Sequence, residues 1–387
     1  MRQTPAIRRF VLLALLASSA FPGSAARRLT VAQLEQLLSA GEAARKPDAD
    51  FARQLRDIEL TERLSDAALE QLAAHLDASS QTALALSLLA DKSQFLDAPA
   101  AEQPVATAPD DAAQQHLLTQ ARAYVAETLP RLPNLLATRT INRYDDSPQV
   151  LQKNAWPVHA GLHAVDSSSR EISVGAEREN QPANEGSMMW KREIGLISGG
   201  EFGSTLGMIM GDAAQGRVAW SHWEQGGSGL VAVFHYAVPK SASHFEIIGS
   251  LKREATQEAR ATLGSRVASI GVQPNISSAN STIVHARPGY HGSLWLDAQT
   301  GAILRITIEA DPKDSGLFKS TGIVVQYATV PIGNGMFVCP VRSLAVSVAA
   351  SDVHDENAPT EWLNETLFTG YHRFASTTEI LPADVPK

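Results

Sequence analysis

The sequence predicts an α+β protein: a small all-helical region at the N-terminus, then a large antiparallel sheet with helices packed on it. Three observations lead there. Apolar residues recur at helical spacing from Leu29 to Phe95. From "LLATRTINRYD" (135–145) onward, short segments alternate apolar and polar residues between frequent turn signals. The stretch "YHGSLWLDAQTGAILRITIEA", Tyr290 to Ala310, reads as two strands joined by a tight turn, with Asp297 opening the turn and Gly301 closing it.

The elements follow in order. Arg2, Arg8 and Arg9, then the apolar run Phe10–Ala20 and the small residues up to Ala26, form the pattern of a cleaved secretory signal. The run is shorter than the roughly 20 apolar residues a membrane span needs. "TVAQLEQLL" opens with Thr30 and Gln33 in capping-box spacing and sets Val31, Leu34, Leu37 and Leu38 on one face. "DADFARQLRDIEL" starts after Pro47, with Asp48 or Asp50 as its cap and Phe51, Leu55 and Ile58 on one face. "SDAALEQLAAHL" and "SQTALALSLLADKSQFL" complete a helical region over 27–96. The Pro- and Ala-rich segment 97–111 reads as an extended linker. A helix is expected over 112–128, and the domain then runs to residue 387.

Ten strand candidates follow: "REISVG", "GRVAWSHWE", "GLVAVFHYAVP", "SHFEIIG", "STIVHAR", "GSLWLD", "AILRITIEA", "GIVVQYATV", "RSLAVSVAAS" and "NETLFTGYHRF". Strict alternation puts Leu230, Ala232, Phe234, Tyr236 and Val238 on one face, and Leu304, Ile306 and Ile308 on another. A helix over "SGGEFGSTLGMIMGDA" is expected to start at Ser198 and Glu201 in capping-box spacing. It then presents Phe202, Leu206, Ile209 and Met210 as a stripe, its glycines letting it lie close to the sheet. "LKREATQEARATLG", Leu251 to Gly264, is polar and helix-compatible.

Composition excludes several functions. Cleavage after Ala26 removes three arginines and no acids, taking the formal charge from -8 to -11, which gives no electrostatic reason to bind nucleic acid. No segment after the signal is apolar and long enough to span a membrane. The single cysteine, Cys339, allows no intrachain disulfide and no thiolate metal site, and its apolar neighbours mark it as a buried structural thiol. Secretion without disulfides points to the periplasm or the bacterial cell envelope.

The constellations tested for chemistry have plain explanations. His159 and His163 in "HAGLH" have zinc-ligand spacing, but Pro157 and Gly161 oppose a helix, so no metal is assigned. In "WSHWE" alternation sets Trp220 and His222 on one face and Trp223 on the other, a packed aromatic strand. Ser228 in "GGSGL" lacks the spacing of a nucleophile elbow. "ISGGEFG" is not a phosphate-binding loop. The pairs Asp145–Asp146 and Asp352–Asp355 sit in polar loops. No catalytic residue and no cofactor are assigned.

"GSLWLDAQTGAILRITIEA" and "GIVVQYATVPIGNGMFVCPVRSLAVS", together roughly Gly289 to Val348, resemble the bacterial outer-membrane lipoprotein carrier and its lipoprotein-sorting relatives. The first matches their tryptophan–aspartate hairpin, and the second ends in the turn Phe337–Pro340. The rest is similar to uncharacterised secreted bacterial proteins with a helical N-terminus, an opening strand like Leu132–Tyr144, and "GEFG" and "WSHWE" segments. The resemblance implies a strongly curved half-barrel whose concavity holds acyl chains. The expected function is therefore non-catalytic binding of a lipid or other apolar ligand, with Phe202, Leu206, Leu230, Phe234, Tyr236, Leu304, Ile306 and Ile308 as the apolar lining. The alternative is an envelope scaffold or assembly module whose N-terminal helices bind another protein around a filled core. A hydrolase without a recognisable motif is the third reading.

Overall fold

A computed structural model describes residues 26–146, 161–175, 178–180, 195–196, 198–227, 229–252, 281–315, 318–350 and 359–374. The signal segment up to Ala25, His159, Ser228, Asp352, Asp355 and nearly all of Leu251–Gly264 lie outside these residues.

The helical region holds α1 (Val31–Ala43), α2 (Asp48–Arg56), α3 (Asp66–Ala73) and α4 (Gln81–Lys92). The expected capping box is present at α1: Thr30 accepts from Gln33 N at 3.2 Å, and Gln33 accepts from Thr30 N at 3.1 Å. The region is not purely helical. β1 (Arg27–Leu29) pairs in parallel with β2 (Ile58–Leu60). "RDIEL" leaves the helix because Ile58 and Leu60 are both buried while Glu59 is exposed, a pattern of two that only a strand produces. Leu34, Leu38, Phe51, Leu55, Leu86 and Leu89 form the core of the region. α4 is apolar on nearly every side, as a helix covered on two fronts must be. Leu86 and Leu89 face this core, while Leu88 faces the sheet.

Nine of the ten strand candidates are strands over most of their length, and of "SHFEIIG" only Ile247–Gly249 is strand, the start of β9 (Ile247–Lys252). The main sheet contains β3 (Leu135–Asp145), β4 (His163–Gly175), β5 (Arg178–Asn180), β7 (Arg217–Gln225), β8 (Leu230–Val238), β11 (Tyr290–Asp297), β12 (Ile303–Ala310), β13 (Phe318–Ile332), β14 (Gly335–Ala350) and β15 (Pro359–Arg373). Its order is β5-β4-β3-β15-β14-β13-β12-β11-β8-β7, antiparallel throughout and open at β5 and β7. Five strand pairs contain a register shift, and bulges of this kind bend strands and raise their twist. A second sheet of β6 (Gly195–Leu196), β9 (Ile247–Lys252) and β10 (Ser281–Ala286) is separate.

The inner face of the main sheet is covered by α5 (Asp111–Ala123), by α6 (Ser204–Ala213) and by the small sheet. Leu196 ties the small sheet down: its N–H donates to Ser347 Oγ at 3.0 Å, and its carbonyl accepts from Asn364 Nδ2 at 2.7 Å. The outer face is covered by the helical region, with Leu88 and Phe95 on Val324, Leu344 and Leu363. Residues 97–110 join the two covers around the β7 edge, where Trp223 Nε1 donates to Thr107 O at 2.9 Å.

α6 departs from expectation at its start. It begins at Ser204 behind Gly203, whose φ of 150° breaks the helix before it, so Ser198 and Glu201 are not caps. Ser198 instead accepts from Ser343 Oγ at 2.8 Å, and Glu201 is buried in the preceding turn. Nor do Gly207 and Gly211 permit close approach to the sheet, since a Cβ at either would meet open space.

Gly301 does require glycine. Its φ is +72°, and a Cβ there would lie 2.7 Å from the backbone carbonyl carbon of Gln120 in α5. The hairpin tip and α5 touch through that missing side chain. Gly301→Ala is expected to cost about 1–3 kcal/mol, combining left-handed strain with displacement of α5. Urea unfolding checks this; an unchanged midpoint would mean that α5 does not rest on the hairpin.

Candidate functional site

Of the eight residues expected to line a cavity, five come together and three lie elsewhere. Leu206, Phe234, Tyr236, Ile306 and Ile308 meet in one inner-face core with Leu117, Leu118, Leu294 and Trp362. They retain 0–3% of their accessible surface, which leaves no void of water size opening on them. Phe202 lies in a separate cluster with Cys339 and Phe368, its ring 5.3 Å from that of Phe368. Burial pushes the Cys339 thiol up to about 12, as expected of a structural thiol. Leu230 is half-buried at the start of β8. Leu304 is on the outer face, against Val231, Val233 and Trp295. A bulge is the reason: Trp295 pairs with Arg305, but Leu296 pairs with Ile303, so Leu304 is the extra residue and Ile303 takes its inner place.

A second bulge assembles the polar site that alternation hides. Trp220 pairs with Phe234 and His222 with Val233, leaving Ser221 as the extra residue. His222 therefore leaves the face of Trp220. Trp220 and Trp223 meet edge to face at 4.8 Å beside the inner core. His222 joins Glu224 on the outer face, with Nε2 3.1 Å from Oε1.

Across the outer face, Arg305, Trp295, Val233 and His222 form one cross-strand row through β12, β11, β8 and β7. Residues 61–64 and 93–97 of the helical region roof it. Arg63 descends from that roof, donates to Glu224 Oε2 at 2.5 Å, and stands 5.4 Å from the Trp295 ring centre. The guanidinium of Arg305 stands 4.7 Å from the same ring, and its Nη2 donates to the carbonyl of Gln94. Asp97 reaches His235 at 3.6 Å on the neighbouring strand. Further along, Arg342 forks between Asp91 Oδ1 at 2.6 Å and Glu365 Oε1 at 2.7 Å.

Burial and pairing compete here, with different winners. Burial alone would raise Glu224, but the bonds from His222 and Arg63 hold it at about 2. Burial raises Asp91 to about 6 although Arg342 pulls against it. Burial, then the nearby charge of Arg63, brings Arg305 down to about 9. Glu224 is depressed when folded, so its contribution, roughly 3 kcal/mol, is present above pH 4.5 and lost as pH falls toward 2. Asp91 acts in the opposite sense: it costs stability above about pH 6, and the cost is relieved as pH falls toward 3.8. Urea midpoints against pH should therefore fall steeply below pH 4.5 in the native protein and less steeply in Glu224→Gln. Parallel curves would contradict the pairing.

A smaller constellation ends α6. Asp212, 2% exposed, accepts from His244 Nδ1 at 2.6 Å, from His244 N at 2.8 Å and from Tyr290 Oη at 2.9 Å. It locks the loop before β9 to the helix and turns Nε2 of the exposed His244 outward. Among the described residues no three His, Cys, Asp or Glu side chains gather as a metal site would require. Described residues line a cavity and a groove. One, about 140 Å³, lies between Leu88 and Lys92 of α4, Leu162, and Glu361 of β15. The other is an open groove of about 530 Å³ on the helical region, bordered by Arg45, Lys46, Asp48, Phe51, His75 and Asp77. No described helix is long and apolar enough to cross a membrane.

No protein-family model, no curated protein and no solved structure matches this chain.

Proposed function

We propose that this is a secreted, non-catalytic module of the bacterial cell envelope that holds another macromolecule on its N-terminal helices, with the sheet as their support. One observation carries the reading: the strands from β8 to β15 are covered on both faces by the chain's own elements, the inner by a packed core and the outer by the helical region, while β4 stays largely exposed. Among the described residues, the apolar surface of those strands is already engaged. The helical region is held by buried ion pairs and presents outward a groove edged by both signs of charge, chemistry that suits a polar protein surface better than a lipid.

A photo-crosslinking side chain at His75, bordering the groove, should give a discrete crosslinked product in cells. The same group at Met336, in the exposed turn between β13 and β14, should not. Equal patterns from both positions would remove the reading.

The lipoprotein-carrier-like reading, a lipid in the sheet's concavity, has one observation in its favour. α5 is held at one end by an irregular strap, and lifting it would uncover Leu294, Ile303 and Ile306. It requires the core to open before anything binds.

A further inference from the structure

We infer that the seam between the helical region and the outer face of the sheet contains a binding site for a small oxyanion, built from Arg63, Trp295 and Arg305. The argument starts from hydrogen bonds that are not made. Arg63 Nη1 and Arg305 Nε are buried donors that meet no acceptor, and Trp295 Nε1, which leans toward the Glu224 carboxylate, makes no well-formed hydrogen bond to it. Arg63 and Trp295 are 6% and 3% exposed. A buried polar group without a partner is costly, and three donors around one indole ring are unlike the scattered exceptions a folded protein normally has.

The charges agree with the donors. Two guanidiniums share the Trp295 ring, close enough that Arg63 lowers the basicity of Arg305. One carboxylate, Glu224, answers them, and it is shared among three groups: Oε1 with His222, Oε2 with Arg63, and the Trp295 N–H leaning on it as well. Asp97 is turned to His235, and Asp66 acts on Arg305 only from farther away. Among the described residues no acidic group lies within ion-pair distance of Arg305, whose one hydrogen-bonded acceptor is the neutral carbonyl of Gln94. A buried guanidinium without an anion is the arrangement most strongly penalised in a protein interior.

Arg305 keeps part of its surface, while the donor atoms themselves are covered, so an anion reaches them as the roof and the sheet part at the seam. An oxyanion presents several acceptor oxygens to forked N–H donors and supplies the missing negative charge. Gln94 Oε1, a buried acceptor without a partner, belongs to the residue whose carbonyl meets Arg305. An anion that also carries a proton, as monohydrogen phosphate does, suits that set. Because the site joins roof to sheet, its occupation would fasten the helical region in place.

The test is a titration of the purified protein with inorganic phosphate at constant ionic strength, with chloride as the balancing anion. Tryptophan emission, of which Trp295 is one of six sources, and the melting temperature are the readouts. The expected result is a saturable change in tryptophan emission, absent when Trp295 is replaced by Phe, with a rise in melting temperature. Arg305→Gln should weaken the affinity roughly tenfold to a hundredfold, as loss of a charge-assisted hydrogen bond does. Should that variant not fold, Trp295→Phe keeps the ring and removes the N–H; the melting-temperature titration should then show weaker phosphate binding. The double substitution Arg45→Gln with Lys46→Gln, in the outer groove, should bind as the native protein does. No saturable effect of phosphate would overturn the site, as would an effect abolished by the groove substitutions and untouched by Arg305→Gln.

Discussion

Phe234→Ala is expected to lower stability by about 3–5 kcal/mol, the cost of removing a large aromatic side chain from a core that cannot collapse around the gap. Phe234 is 1% exposed on β8, with Leu294 beside it on β11 and the Trp220 ring 5.4 Å away, edge to face. Neighbours on β7 and β11, with α6 packed on β8, hold the space open. Were the inner face instead a yielding pocket, the smaller side chain would enlarge it at little cost. Met336→Ala, at a position 64% exposed, is the control and should stay within about 0.5 kcal/mol. Urea unfolding of the two variants decides between core and pocket.

Arg342→Ala is expected to cost about 3–5 kcal/mol for a different reason: it strands buried charge. Arg342 is the one cation within bonding distance, among the described residues, of both Asp91, whose side chain is 5% exposed, and Glu365, at 14%. Removing it leaves two carboxylates facing each other under α4. Asp91 is already raised to about 6 with the arginine in place, and without it protonation is the remaining relief. The loss should therefore be larger at pH 8 than at pH 5, a dependence that simple loss of packing would not produce. Equal losses at the two pH values would show that Asp91 keeps its charge by another route.

Local rules made much of the architecture legible. The α1 capping box, the α5 helix, the hairpin turn at Asp297 and Gly301, and nearly every strand candidate follow from spacing a few residues long. Face assignments were less secure because parity is counted along a strand, and one bulge reverses everything beyond it. Ser221 moved His222 to the side of Glu224, and Leu304 changed faces while Ile306 did not. Those two inserted residues hid the polar row of the outer face and inflated the apparent cavity lining. A signal was nonetheless present: Asp91 interrupts the apolar run "LLADK", and Arg305, Arg342, Glu224 and Glu365 all lie on strands of a buried sheet. Charges in such places need partners, and the partners are the helical region and each other. That the helical region covers the sheet could not be read from either part alone, because α4 is apolar enough to be buried anywhere.

The claim that the inner face is a core rather than a ligand cavity is tested most directly by titrating the purified protein with a fluorescent fatty acid. Leu206, Phe234, Tyr236, Ile306 and Ile308 are closed against one another and against α5 and α6, so no saturable binding is predicted. Saturable binding by the native protein, lost in an Ile306→Glu variant that circular dichroism shows to be folded, would contradict the account and establish the inner face as a site that opens to apolar ligands.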